Sequence, residues 1–148
     1  MKTIFDKETR DELIERISHI NENSKRGWGK MNVCQMLVHC VMWEEMALSR
    51  KIYKQSFLGK LFGKKALKEF VKDESPFRKN VPTVPSFKIK ETNGDVEQLK
   101  TRWTSLMREY GQYGDGNFVH PFFGRMTKEQ IGILAYKHSD HHLRQFGA

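Results

Sequence analysis

The chain has 148 residues, 38% of them apolar and 30% charged, with a net charge of +8. That length suits one domain, residues 1–148, with a sizeable core. No apolar run approaches the roughly 18–20 residues of a membrane span, residues 1–8 turn charged too early for a secretory leader, and Cys34 and Cys40 are too few and too close for a disulfide framework or a Cys-x-x-Cys pair. The expectation is a cytoplasmic protein with no transmembrane segment.

Four long helices can be read in chain order, making the fold class all-α, a four-helix bundle. The first covers about residues 6–21 with Leu13, Ile14, Ile17 and Ile20 as its apolar stripe. A short turn with an aromatic anchor, Trp28, leads to the second. Asn32 and Gln35 form a capping-box variant there, and Met31 can staple to Met36. A long crossover, residues 50–94, follows. It holds an amphipathic helix at about 57–71, whose Phe57, Leu61, Phe62, Leu67 and Phe70 are expected to be at least partly buried. After it comes an extended run in which Pro82 and Pro85 forbid regular helix. The third long helix starts near Asp95 and carries Val96, Leu99, Trp103, Leu106 and Met107. A Gly-rich loop, 111–124, is long for a compact domain and reads as a cover over a site. The fourth starts at Thr127 with Gln130, Met126 stapling to Ile131. Strand signals are nearly absent.

The chemistry-bearing residues lie on the second and fourth long helices. His138 and His142 are four apart, so in a helix they project from one face about 5–6 Å from each other and can reach one metal ion. At about 100° per residue they fall within the stripe of Ile131, Leu134, Ala135 and Phe146, with His141 on its flank and Lys137 and Asp140 towards solvent. His39 sits amid Gln35, Met36, Met42, Trp43 and Met46 on an apolar stretch. A lone histidine there is more often a core residue satisfied by one hydrogen bond. Burying three imidazoles without partners, however, costs on the order of 1–3 kcal/mol each, and a shared metal removes that cost. The reading is a three-histidine site, His39, His138 and His142, with an open coordination position, because no inward Cys, Asp or Glu stands out as a fourth ligand. Gln35, Trp43, His120 and His141 are candidates for lining the site or bracing its ligands; for His120 a loop-fixing hydrogen bond is the plainer role.

Trp28, the run Gly29–His39, His120-Pro-Phe-Phe-Gly124 and His138-Ser-Asp-His-His-Leu-Arg-Gln-Phe146 together resemble the DinB/YfiT-like superfamily of metalloenzymes. The closest likeness is to an uncharacterised subfamily that shares the last two segments, and it extends over essentially the whole chain. The resemblance implies an up-down-down-up bundle with a long crossover between its second and third helices. It also implies a three-histidine site for Zn²⁺, Ni²⁺ or a similar ion, its ligands falling on His39, His138 and His142. His141 is outside the general pattern. Relatives such as bacillithiol transferases and mycothiol-dependent isomerases use the metal with a low-molecular-weight thiol.

The functional expectation is a metal-dependent enzyme of thiol S-transferase or hydrolase type, acting on a small-molecule substrate as a monomer or homodimer. The alternatives are a non-catalytic metal-binding stress-response module, or a basic surface binder of nucleic acid or membrane. The last rests on residues 50–72, where eight Lys and Arg face one acid, Glu69. A solvated basic face is the plainer account of that run, and no nucleic acid is expected.

Overall fold

Capping residues set where the helices begin. The computed structural model describes residues 1–114 and 118–148, with α1 at Lys7–Ser18, α2 at Val33–Ala47, α3 at Phe57–Phe70, α4 at Val96–Glu109 and α5 at Lys128–Gln145. Asn32 accepts from Gln35 N while the Gln35 side chain accepts from Asn32 N, and Thr127 and Gln130 repeat this at α5. Asp95 and Ser56 cap α4 and α3 from one side only. The reciprocal pairs satisfy amide donors that a helix start otherwise leaves open. α1 ends at Ser18, short of residue 21, although Ile20 remains buried just beyond it.

Helices α1, α2, α4 and α5 pack as a four-helix bundle, with α1 and α2 each lying against both α4 and α5. Leu13 and Ile17 from α1, Met36 and Leu37 from α2, Trp103 and Leu106 from α4, and Ala135 and Leu143 from α5 meet in its core. A second apolar cluster extends from Trp43 and Met46 to Leu67, Phe87, Phe118, Phe123 and Leu134, so α3 and both long connections close one flank. A two-residue hairpin, β1 (Val119–His120) with β2 (Gly124–Arg125), stands where the sequence showed no strand signal. Among the described residues no helix is long and apolar enough to cross a membrane. Cys34 and Cys40 are free thiols.

Two expectations are corrected. Phe57, Leu61 and Phe62 are exposed, and only Leu67 and Phe70 of that set turn inward. The buried face of α3 is made instead by Gly59, Gly63 and Leu67. A Cβ on Gly63 would collide with the Phe122 carbonyl oxygen, so the glycines let helix and hairpin backbones touch. Lys137, expected in solvent, is buried and its Nζ donates to the carbonyls of Phe70 and Asp73 at 2.7 and 3.0 Å, because the crossover lies over that side of α5.

The core also holds an acid that is no ligand of the cluster. Glu44 on α2 is fully buried. Its carboxylate accepts from Tyr110 OH at 2.6 Å, Ser139 Oγ at 3.2 Å and Trp103 Nε1 at 3.3 Å, joining α2, α4 and α5. It is turned towards α4 and belongs to the scaffold. Burial pushes its pKa up to about 7, against the lowering effect of the three donors. The folded state therefore holds this proton more tightly than the unfolded chain, and the group weakens the fold as pH rises from about 4.5 to about 7. Buried histidines run the opposite way, and they cancel when wild type is compared with Glu44→Gln. The stability of wild type relative to that variant should fall by about 3 kcal/mol across this range, measured by urea unfolding at successive pH values. A pH-independent difference would show that Glu44 stays ionised in the fold.

Candidate metal centre

The seam between α2 and α5 brings the three predicted ligands together. His39 and His142 are buried and His138 is half-buried; one ligand atom from each lies within 4.8 Å of the others. His39 Nε2 and His138 Nε2 are 3.0 Å apart, close to the ~3.3 Å expected between two nitrogens on a tetrahedral ion with bonds of about 2.0–2.1 Å. The His142 ring stands 4.8 Å from that of His39 and 4.7 Å from that of His138, centroid to centroid.

Hydrogen bonds to the outer nitrogens decide which lone pairs face inward. His39 Nδ1 donates to the Phe87 carbonyl at 3.3 Å. His142 Nδ1 donates to Gln145 Oε1 at 2.9 Å, and Gln145 Nε2 in turn donates to the Trp28 carbonyl at 2.8 Å. With Nδ1 protonated, each ring directs an Nε2 lone pair into the cluster, the arrangement by which outer partners orient metal ligands. His138 is placed differently: its ring stacks on Trp43 at 4.6 Å, and its Nδ1 is buried with no hydrogen-bond partner. Burial drops the pKa of His39 to about 4 and holds those of His138 and His142 well below the ordinary histidine range, with neighbouring imidazoles adding to the effect. All three are thus neutral at pH 7, the state in which imidazole donates to a metal. The inward lone pairs of His39 and His142 and the all-imidazole donor set fit a divalent ion, and the cluster could hold one.

The other candidates surround this group. Trp43 separates His138 from His120, its ring 5.2 Å from the latter. His120 is buried, stacks on Phe123 at 4.5 Å, and its Nδ1 accepts from Phe122 N and Phe123 N, both at 3.1 Å. That is the loop-fixing role, and burial lowers its pKa to about 3. Gln35 spends its side chain on Asn32 N and on the Ile89 carbonyl, 3.2 Å away, pinning the crossover to α2. His141 lies on the outer side, its ring 5.6 Å from that of Trp28 and 5.1 Å from that of His142. Of the loop expected as a cover, Phe118, His120 and Phe123 wall the Trp43 side; residues 115–117 lie outside the described residues. The described cavities are at the N-terminus, around Met1, Lys2 and Tyr136 and around Thr3 and Phe5, away from the histidines.

Two bracing groups escaped the reading of the sequence. The Phe87 carbonyl carries no side-chain signal at all. Gln145 did carry one, being one helical turn from His142 and on its face. Gly29, at φ +80°, belongs with it: a Cβ there would stand 2.6 Å from Gln145 Nε2.

Fold and site together define a helical-bundle protein with a three-histidine cluster able to hold a metal ion. The profile of one family, described as protein of unknown function (DUF1569), matches residues 3–148, and the chain belongs to that family. No curated protein and no solved structure matches the chain.

If Gln145 braces a ligand, Gln145→Leu should weaken metal binding by about 10–100-fold, read by competition with a chromophoric chelator. Circular dichroism of the metal-free variant reports whether the bundle is kept. Unchanged affinity in a folded variant would remove Gln145 from the site.

Proposed function

We propose that the protein is a metal-dependent enzyme of the DinB-like kind, binding one divalent ion, Zn²⁺ or Ni²⁺, through His39, His138 and His142. Its reaction is thiol S-transfer or hydrolysis on a small-molecule substrate. The observation that supports the metal assignment is the gathering of one ligand atom each from His39, His138 and His142 within 4.8 Å of one another, with the Nδ1 atoms of His39 and His142 hydrogen-bonded to Phe87 and Gln145. An ion bound there would lower the pKa of a thiol or water beside it, supplying a nucleophile at neutral pH. The chain's own residues keep the imidazoles neutral, aim two of them through Phe87 and Gln145, and wall the site with Trp43 and Phe87 against bulk water. A low-molecular-weight thiol is the co-substrate suggested by the resemblance to thiol-using relatives.

A second reading, a non-catalytic metal-binding module, draws on the enclosure of the cluster, with His39 and His142 both buried. The two readings part on whether an exogenous ligand can reach the ion. The purified protein should carry about one divalent ion per chain, lost in His142→Ala and kept in His19→Ala, by elemental analysis. Stoichiometric metal in the His39→Ala, His138→Ala, His142→Ala triple variant would overturn the assignment. Titrating the Co²⁺-substituted protein with small thiols should produce a sulfur-to-metal charge-transfer band. Several thiols binding without one would leave water as the nucleophile, and an ion that no added ligand perturbs would favour the module.

A further inference from the structure

The outward face of α3 plays no part in the site. Phe57, Leu58, Leu61 and Phe62 are 74%, 60%, 59% and 57% exposed, and Ile52 just before the helix is 92% exposed. At about 100° per residue the four helical side chains span an arc of about 140°, opposite the glycines buried on the hairpin. This face is rigidly mounted. Ser56 N donates to the Pro121 carbonyl at 2.8 Å, Gln55 Nε2 donates to the Phe122 carbonyl at 3.1 Å, and Gly59 and Gly63 sit directly on the Phe122 backbone. Lysines surround the apolar group: Lys54 precedes it, Lys60 flanks it, and Lys65 and Lys68 continue the same side, all exposed. Among the described residues these four stand in no ion pair, whereas Arg50, Lys51 and Lys72 are paired with Glu109, Glu45 and Glu69.

We infer that α3 is a docking surface for an anionic lipid bilayer, its exposed Phe and Leu side chains entering the headgroup–acyl boundary while the unpaired lysines engage lipid phosphates. The charge decides the occupant. A protruding apolar ridge with cationic margins and a single acid, Glu69, within the helix has its complement in a surface that is apolar beneath and negative above. A nucleic-acid backbone would use the lysines and leave Phe57, Leu58 and Leu61 in water. A second copy of this chain would bring the same lysines against one another. The helix is too short and too charged to span a bilayer, so association is peripheral and reversible. α3 rests on the hairpin that holds His120, so a docked molecule would keep its histidine cluster on the bundle side of the contact.

The test is flotation of the full-length protein with vesicles of phosphatidylcholine alone and of phosphatidylcholine with about one-third phosphatidylglycerol. Partition to the anionic vesicles should be at least about tenfold stronger, should weaken with salt, and should fall to background in Phe57→Ser/Leu61→Ser. Lys60→Glu/Lys65→Glu should abolish the preference for anionic lipid. Both pairs are exposed, so thermal melts should match wild type. As a readout independent of those variants, indole emission of Phe62→Trp should shift to the blue on adding anionic vesicles. Wild type that stays with the aqueous phase at low salt, or emission from Phe62→Trp that does not move, overturns the inference. So does retention on duplex DNA that equals vesicle binding and is insensitive to the serine changes, which would assign the lysines to nucleic acid. Concentration-dependent self-association abolished by the serine changes, with no vesicle binding, would assign the face to a second copy.

Discussion

Where α2 passes α5, two imidazole nitrogens meet at 3.0 Å, and a third ring closes on them from one turn further along α5. A proton carried by one of them makes this approach a hydrogen bond, and a shared cation could take the proton's place. The neighbouring structure is organised to hold the rings in this arrangement. Each bracing contact comes from a different part of the chain: the Phe87 carbonyl from the crossover, Gln145 from the end of α5, and the Trp28 carbonyl from the turn before α2.

Seen from this seam, the long crossover serves as the outer wall of the centre. It is pinned at Ile89 by Gln35, places Phe87 against His39, and ends its helical part where Lys137 reaches from α5 to Phe70 and Asp73. Burying an ammonium is costly unless its donors find acceptors, and these carbonyls provide them. Glu44 plays the matching part on the other side of α2, where two aromatic donors and a serine hydroxyl absorb a carboxylate that points away from the histidines. Polar groups thus reach the core on two faces of one helix, one set scaffolding and the other chemical.

Much of this was legible in the residues. Capping pairs at Asn32 and Thr127 marked helix starts, and the apolar periods of α1 and α4 predicted their buried sides. Helical phase placed His39, His138 and His142 on facing stripes. The burial of Glu44 carries no such signal, because α2 is buried on most of its circumference, and a helix apolar nearly all round has no single inward face for periodicity to find. At α3 hydrophobicity is a poor guide to burial, because close backbone approach selects the glycines.

The helical elements, the spacing that puts His138 and His142 on one face, and the donor types available to a metal follow from local geometry and side-chain chemistry, and so can be read from the residues alone. Which nitrogen of His39 and of His142 faces the cluster depends instead on the assembled fold. That choice is made by acceptors remote in the chain, Phe87 for His39 and, through Gln145, Trp28 for His142. The assembled fold also decides that Lys137 is covered and that Phe57, Leu61 and Phe62 are not. Which face of a helix meets water is settled by whatever packs over it, and here that is a connection whose path no local pattern specifies.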